Sequence, residues 1–380
     1  MNFKLTEEHF MVRDAAREFA ANELLPGVIE RDNTQSFPIE IIRKMGQLGF
    51  MGIMVDPKYG GSGMDTISYV LIMEELSKID ASASVMVSVN NSLVCFGLEA
   101  YGTEDQKQKY LSKLATGEYI GAFCLSEPEA GSDATSQQTT AIEKEDHYII
   151  NGTKNWITNG GIADVYLVVA QTDRSKGHRG INVFILEKNT AGFNIGPKED
   201  KLGIRGSDTH TLQFNDVKVP KENRIGEDGF GFTFAMKTLS GGRIGIAAQA
   251  LGIASGAYEL ALKYSKERKA FGKEIANHQA IAFKLADMYT EIEAARLLVM
   301  KAAYDKDQGN NYDTSSAAAK LYASKVAMTQ TVEAVQIHGG NGFVKDYHVE
   351  RLMRDAKITQ IYEGTSEIQK IVISRAILKD

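Results

Sequence analysis

Glu363 is the residue of this sequence best placed to work as a base. It stands between Tyr362 and Gly364, immediately ahead of a helix start spelled by Thr365, Ser366, Glu367, Ile368 and Gln369. Ser366 with Gln369 three residues on has capping-box spacing, and Ile368, Ile371, Val372 and Ile377 then supply an apolar helical stripe. A carboxylate at such a mouth has two readings. The plainer is a favourable charge beside the helix dipole or a solvated loop residue. The other is a general base, whose burial raises its proton affinity.

Other residues invite chemistry with less force. Gly340 and Gly342 follow a helical segment that includes Gln336, which tempts a dinucleotide-fingerprint reading. The third glycine of that pattern falls on Lys345 and no strand precedes it, so a tight turn between helices fits better. Cys124 to Asp133 is a strand-to-loop transition rich in turn formers. Trp156, the single tryptophan, Arg268, Phe271 and Gln279 read on their own as a core ring, a surface cation, a buried aromatic and a helix residue. The seven histidines form no ligand spacing and no HExxH pair exists, so a metal site is not expected. Ser62 and Ser255 lie among glycines without the nucleophile-elbow pattern, which excludes serine hydrolase chemistry.

Three unlike segments change the weight of these readings. Ile361 to Gln369 resembles the catalytic-base loop of the acyl-CoA dehydrogenases, flavoproteins that oxidise fatty-acyl-CoA thioesters to enoyl-CoA. Cys124, Leu125, Ser126, Glu127, Pro128, Glu129, Ala130, Gly131, Ser132 and Asp133 resemble that family's flavin and substrate signature. Gln336, Gly339, Gly340, Gly342, Phe343, Asp346, Arg351 and Asp355 resemble its second signature. With Pro57, Tyr59, Gly60, Gly61 and Gly63, and later Arg268, Phe271 and Gly272, the likeness spans essentially the whole chain.

The resemblance implies FAD as cofactor, with Glu363 as the base that removes the α-proton. It implies flavin contacts from Phe123, Cys124, Leu125, Ser126, Gly131, Ser132, Trp156, Ile157, Thr158, Gln336, Gly339, Gly340, Thr365 and Glu367. Arg268, Phe271 and Gln279 would touch the flavin partly from a neighbouring subunit of a homotetramer. Substrate contacts would come from Ser132, Ser240, Gly241, Gly242, Arg243 and Gly364. Gln249 and Thr359 match positions where short-chain members shorten the acyl tunnel. Members lacking a base in the C-terminal loop carry their Glu at the position of Gly242, so Glu363 is left as the one candidate base.

Composition sets the outer bounds. A chain of 380 residues is long enough for two or three domains. Forty-three basic and 49 acidic residues intermix to a net charge of -6, which provides no basic stripe for nucleic acid. No run of roughly 18 apolar residues is evident, and Met1 to Glu8 lacks the look of a signal or transit peptide, so a cytoplasmic, bacterial protein without membrane insertion is expected, with a processed organellar matrix form as the alternative. Cys95 and Cys124 have no redox or metal spacing and read as packed thiols.

Periodicity supplies the frame. Helical segments are expected near 6 to 31, 39 to 49, 65 to 78 and 103 to 114, then short β-branched strands such as Val165 to Ala170 and Ile181 to Leu186. Asn151 and Gly152 predict a two-residue hairpin turn between flanking strands. Ile281, Leu285, Met288, Ile292, Ala295 and Val299 recur at helical spacing, and further long helices are expected about 232 to 266, 313 to 337 and 366 to 378. The expected fold is α+β and multidomain: an N-terminal α-helical domain over 1–117, a middle β-barrel over 118–228 and a C-terminal four-helix bundle over 229–380.

The function expected from residues and resemblance together is dehydrogenation of short-chain acyl-CoA, butyryl-CoA above all, with electrons passing to an electron-transferring flavoprotein. Glutaryl-CoA or branched short-chain dehydrogenation is the near alternative, although Ala81 to Leu98 offers no Arg or Lys for a distal carboxylate. An acyl-CoA oxidase is another. The alternative of a different class is a non-catalytic flavin- or thioester-binding assembly protein, which requires Glu363 to lie away from the flavin.

Overall fold

The computed structural model describes residues 4–379, so the reading of Met1 to Glu8 falls partly outside the described residues. Helices come first. α1 (Glu7–Phe19), α2 (Val28–Thr34), α3 (Ile39–Gln47), α4 (Thr66–Ile79), α5 (Ala81–Ser88), α6 (Phe96–Tyr101), α7 (Glu104–Gln106) and α8 (Ser112–Ala115) carry the chain to Ala115. A π turn, Val89–Cys95, joins α5 to α6 without a break.

This continuous helix from Ala81 to Tyr101 was not among the expected ones, for a physical reason. It is buried on every side, so its Ser, Val and Asn residues carry no one-sided stripe to betray a helical period. By length and composition, it and the later helix Gly231–Glu267 are long and apolar enough to cross a membrane, contrary to the expectation of no such run. Both are mostly buried inside the fold, as core helices are.

Seven strands follow: β1 (Gly121–Cys124), β2 (Thr140–Glu143), β3 (His147–Thr158), β4 (Val165–Gln171), β5 (Ile181–Glu187), β6 (Phe193–Lys198) and β7 (Thr209–Pro220). They form one curled sheet in the order β1-β4-β2-β3-β7-β6, with β5 also paired to β4. The hairpin expected at Asn151 and Gly152 is not a turn. β3 runs straight through both residues, and they make a register shift against β7, between Ile150 opposite Val217 and Gly152 opposite Phe214. The Asn151 amide binds the side chain of Asp216 at 3.0 Å and its carbonyl accepts from Asp216 N at 2.8 Å. The Asn-Gly pair therefore lies opposite a bulge whose extra residue is in β7, where Asn215 and Asp216 face Asn151, and it adds local twist rather than reversing the chain.

The rest is helical: α9 (Gly231–Glu267), α10 (Gln279–Asp307), α11 (Asp313–His338), α12 (His348–Ile358) and α13 (Ser366–Ile377), with a short hairpin of β8 (Lys269–Ala270) and β9 (Lys273–Glu274) between α9 and α10. The predicted seam of α10 is its buried face, from Leu285 through Val299. α9 lies close on α4 because glycines face it. A Cβ at Gly252 would stand 2.4 Å from Glu74 O, and one at Gly256 would stand 2.4 Å from Lys78 O.

Two residues of the second signature join the three regions. Arg351 pairs with Asp355 at 3.1 Å within α12, and its other nitrogen donates to Ile79 O at 2.7 Å. Asp355 in turn accepts from Ile204 N in the loop before β7. Burial pushes the Asp355 carboxyl up to about 6 despite Arg351. Breaking such a buried pair leaves one charge uncompensated, a loss of about 3–5 kcal/mol.

Candidate active site

A cavity of about 650 Å³ opens where sheet, α9, α13 and the helix from Ala81 to Tyr101 meet. Each element contributes one face. On β1 the side chains alternate, so Phe123 and Leu125 line the cavity with Ser126 beyond them, while Cys124 points into the core. Both cysteines are free and buried, and burial pushes the Cys124 thiol up to about 12. Gly131 and Ser132 line the cavity from the following loop. That loop is held from behind: Lys154 is buried and donates to Glu127 at 2.6 Å and to Leu125 O at 3.0 Å. Glu127 also accepts from the backbone of Thr139.

Trp156, Ile157 and Thr158 line the same space from the end of β3. A second register shift, between Lys154 opposite Leu212 and Ile157 opposite His210, puts an extra residue in β3 there. Trp156 takes φ 57 and is 58% exposed. Its ring is therefore not the core ring that composition favours. A bulge that turns a large apolar face towards a cavity is the kind of local strain found at binding sites.

α9 presents Phe232, Met236, Leu239 and Arg243 at steps of four and three, and the helix opposite presents Val85, Val89 and Leu93 at steps of four. α13 adds Ile368, Ile371, Val372 and Arg375. The helix cap differs from the expected one by a residue. Thr365 is the cap, with its Oγ1 accepting from Ile368 N, and Ser366 is already helical. Gln369 is buried and donates back to Gly364 O at 2.8 Å rather than closing a capping box. Glu367 is exposed and does not line the cavity.

Glu363 closes the wall. Its backbone sits at φ 51, followed by Gly364 at φ 92, which carries the chain sharply into α13. The residue is only half-buried, yet Oε2 is sequestered and has no hydrogen-bond partner among the described residues. It lies directly over Gly242, where a Cβ would stand 2.1 Å from Oε2. Burial pushes the carboxyl up to about 7, against the opposing pull of Lys320 and Arg243. Arg243 is itself buried, its Nε is unpartnered, and burial lowers its pKa. Ser240 touches it at 3.3 Å and donates to Asp313 at 2.6 Å. Ser240 and Gly241 are thus buried supports beside Arg243 rather than part of the cavity wall.

Several expected residues stand elsewhere. Gln249 and Thr359 do not line the cavity. Gln249 lies behind Tyr362, accepting from its hydroxyl and donating to Ala81 O at 2.9 Å, and the hydroxyl of Thr359 is consumed by Ala356 O at 2.7 Å. Phe271 is no buried aromatic: it is 95% exposed at the tip of the β8–β9 hairpin. Arg268, Gln279, Gln336, Gly339 and Gly340 are exposed too, and none of them reaches this cavity within the chain.

The converse omissions were readable in part. The cavity-facing apolar residues of α9, Phe232, Met236 and Leu239, had helical spacing. Lys320, which contacts the Glu363 loop, lies in phase with Ser316, Ala319, Ala323 and Ala327 on the buried face of α11. A lysine on a small-residue face was the available signal.

The same architecture recurs in known proteins. The N-terminal, middle and C-terminal domain models of the acyl-CoA dehydrogenases match residues 6–118, 122–217 and 229–378. A short-chain-specific acyl-CoA dehydrogenase of Clostridium acetobutylicum is 55% identical over 379 residues, covering 100% of both chains. The solved butyryl-CoA dehydrogenase of Megasphaera elsdenii superposes with a TM-score of 0.98 at 51% identity, covering 100% of both chains. A chain solved in work on the electron-transferring flavoprotein of Acidaminococcus fermentans and flavin-based electron bifurcation gives 0.99 at 54%, again over 100% of both. By these matches and by its three-part architecture, the chain belongs to the acyl-CoA dehydrogenases.

Proposed function

We propose that this chain dehydrogenates short-chain acyl-CoA thioesters, butyryl-CoA to crotonyl-CoA, with Glu363 as the α-proton acceptor and FAD as cofactor. The observation that carries the reading is the Glu363 carboxylate: sequestered, unpartnered at Oε2 and set in the wall of an apolar cavity. Asp133, the other carboxylate on the wall, is held by Thr135 and Ser136 at 2.6 and 2.5 Å.

The residues present fit a flavin. Trp156 offers an open aromatic face beside Thr158, Phe123 and Leu125, and no atom lies within 4 Å of a Cβ built at Gly131, so backbone there is open to a ligand. FAD, when bound, accepts the hydride that leaves the β-carbon, a task no side chain performs. Everything else falls to the chain. Phe232, Met236 and Leu239 on one side and Val85, Val89 and Leu93 on the other hold the acyl group and exclude water. Glu363, with its pKa raised towards neutrality, accepts the α-proton at Oε2. Tyr362, braced by Gln249, limits the length of acyl chain that fits.

The wall supplied by Val85, Val89 and Leu93 carries no cation, which favours an apolar short acyl group over glutaryl. Electrons would pass to an electron-transferring flavoprotein, the protein that the work behind one matching structure concerns. A cytoplasmic homotetramer, with Arg268, Phe271 and Gln279 reaching a neighbour's flavin, completes the proposal. Their exposure supports it: Phe271 lies at the tip of the β8–β9 hairpin, Arg268 at the end of α9 and Gln279 at the start of α10. The test is Glu363→Gln, measured anaerobically. FAD content and thioester affinity should persist while flavin bleaching by butyryl-CoA slows roughly 10²-fold or more. Turnover near wild type would remove Glu363 from the role.

A further inference from the structure

We propose that Lys320 is the positioning residue of the Glu363 loop: one buried ammonium that clamps both ends of the loop and sets the charge environment of the base. The inference rests on Glu363 being that base. Lys320 is 1% exposed on α11. Its Nζ donates to Thr359 O at 3.1 Å, where α12 ends, and to Gly364 O at 2.7 Å, immediately after Glu363. The segment between those two carbonyls includes the positive-φ backbone of Glu363. A single cation thus fixes the entry and exit of a strained turn from a rigid helix.

An ammonium suits this task. It has no acceptor and three N–H donors, so it can hold two carbonyls at once, one at the C-terminal end of α12 and one in the loop ahead of α13. Gln369 supports the same point from α13, donating to Gly364 O at 2.8 Å. Among the described residues, Lys320 has no carboxylate in hydrogen-bond contact, so its charge is left to act on the Glu363 carboxylate across the loop. The groups facing that carboxylate are Lys320 from α11, Arg243 from α9, Tyr69 from α4 and Tyr362 from the loop itself, with Asp313 and Tyr312 acting on Arg243. Lys320 and Arg243 are the cations among them, and burial lowers the Lys320 pKa.

The experiment compares wild type, Lys320→Met, Lys320→Arg and Glu363→Gln. Two readouts are taken: the pH profile of the reductive half-reaction with butyryl-CoA, and hydrogen–deuterium exchange of the peptide spanning 359–365. Removing a cation near a carboxylate raises its pKa. In Lys320→Met the rising limb of the rate profile should therefore move up by about one pH unit. The limiting rate should fall roughly 10-fold or more with KM changed less than about threefold, as a misplaced base requires, and the loop amides should exchange faster. Lys320→Arg should keep the limb near wild type.

An unshifted limb with unchanged loop exchange in Lys320→Met overturns the proposal, because a merely structural lysine would lower stability without moving that limb. If Lys320→Met does not fold, Lys320→Gln reads the same limb with one donor retained and no charge. A fully active Glu363→Gln would instead show that the base is misassigned, which separates that failure from the failure of the clamp.

Discussion

Replacing Gly242 with alanine should separate activity from stability. The added Cβ would stand 2.1 Å from Glu363 Oε2 and 2.9 Å from Leu93 Cδ2. Ordinary contact at such a site begins near 3.4 Å, so the carboxylate must retreat by more than an ångström. The fold can permit this, since the displaced atom is the far end of a flexible side chain, and Gly to Ala inside a helix favours folding by about 1 kcal/mol. Catalysis cannot. A misplacement of about 1 Å costs on the order of 10²-fold in rate.

The assay is stopped-flow bleaching of the flavin band by butyryl-CoA, alongside thermal unfolding of the same preparation. The expected result is a reductive rate lowered about 10²-fold, with a melting temperature at or above wild type and flavin content unchanged. A reductive rate within about threefold of wild type would show that the carboxylate does not need the space over Gly242, refuting the placement of Glu363 as the reacting base.

Two further outcomes follow from buried charge. The folded Glu363 carboxyl titrates near 7 against 4.5 for the free group, so the folded state holds that proton more tightly than the unfolded state. The resulting stability is present below about 4.5 and is lost as pH rises through about 7. Relative to wild type, Glu363→Gln should be nearly neutral to unfolding at pH 4.5 and stabilising by a few kcal/mol, at order of magnitude, at pH 7.5. Urea denaturation at both values checks it, and a difference independent of pH would contradict the burial. Lys154→Met should leave the Glu127 carboxylate buried without its cation. The expected cost is about 3–5 kcal/mol in urea denaturation, with weaker flavin retention because the Leu125–Ser126 backbone loses its anchor; a cost under about 1 kcal/mol would show that the pair is replaceable.

The candidate base was legible in the sequence because its signal is local. Tyr362, Glu363 and Gly364 ahead of a helix start need no knowledge of distant residues, and a resemblance carried by ordered motifs compounds their weight. The succession of helices, sheet and bundle was legible for a related reason: each element's period or composition is a property of its own residues. Where a local signal was ambiguous, the structure chose differently. Asn151 and Gly152 can make a turn or a bulge, and pairing of β3 with β7 on both sides decided for the bulge. The Ala81–Tyr101 helix has no amphipathic period because every face is covered by other elements.

What the sequence by itself determined is the chemistry on offer: a carboxylate at a helix mouth, a strand-to-loop signature, and glycine rather than a second carboxylate at position 242. What only the tertiary structure decided is how those groups stand to one another. Glu363 lies over Gly242 although 121 residues separate them. Trp156 turns outward because of a bulge set by register against another strand. Gln249 and Thr359 turn away from the cavity because nearer polar partners claim them. Apart from Thr359, whose partner Ala356 O lies three residues back, the physical reason is shared. Burial, pKa and hydrogen-bond pairing there depend on groups that packing brings together from distant stretches of the chain.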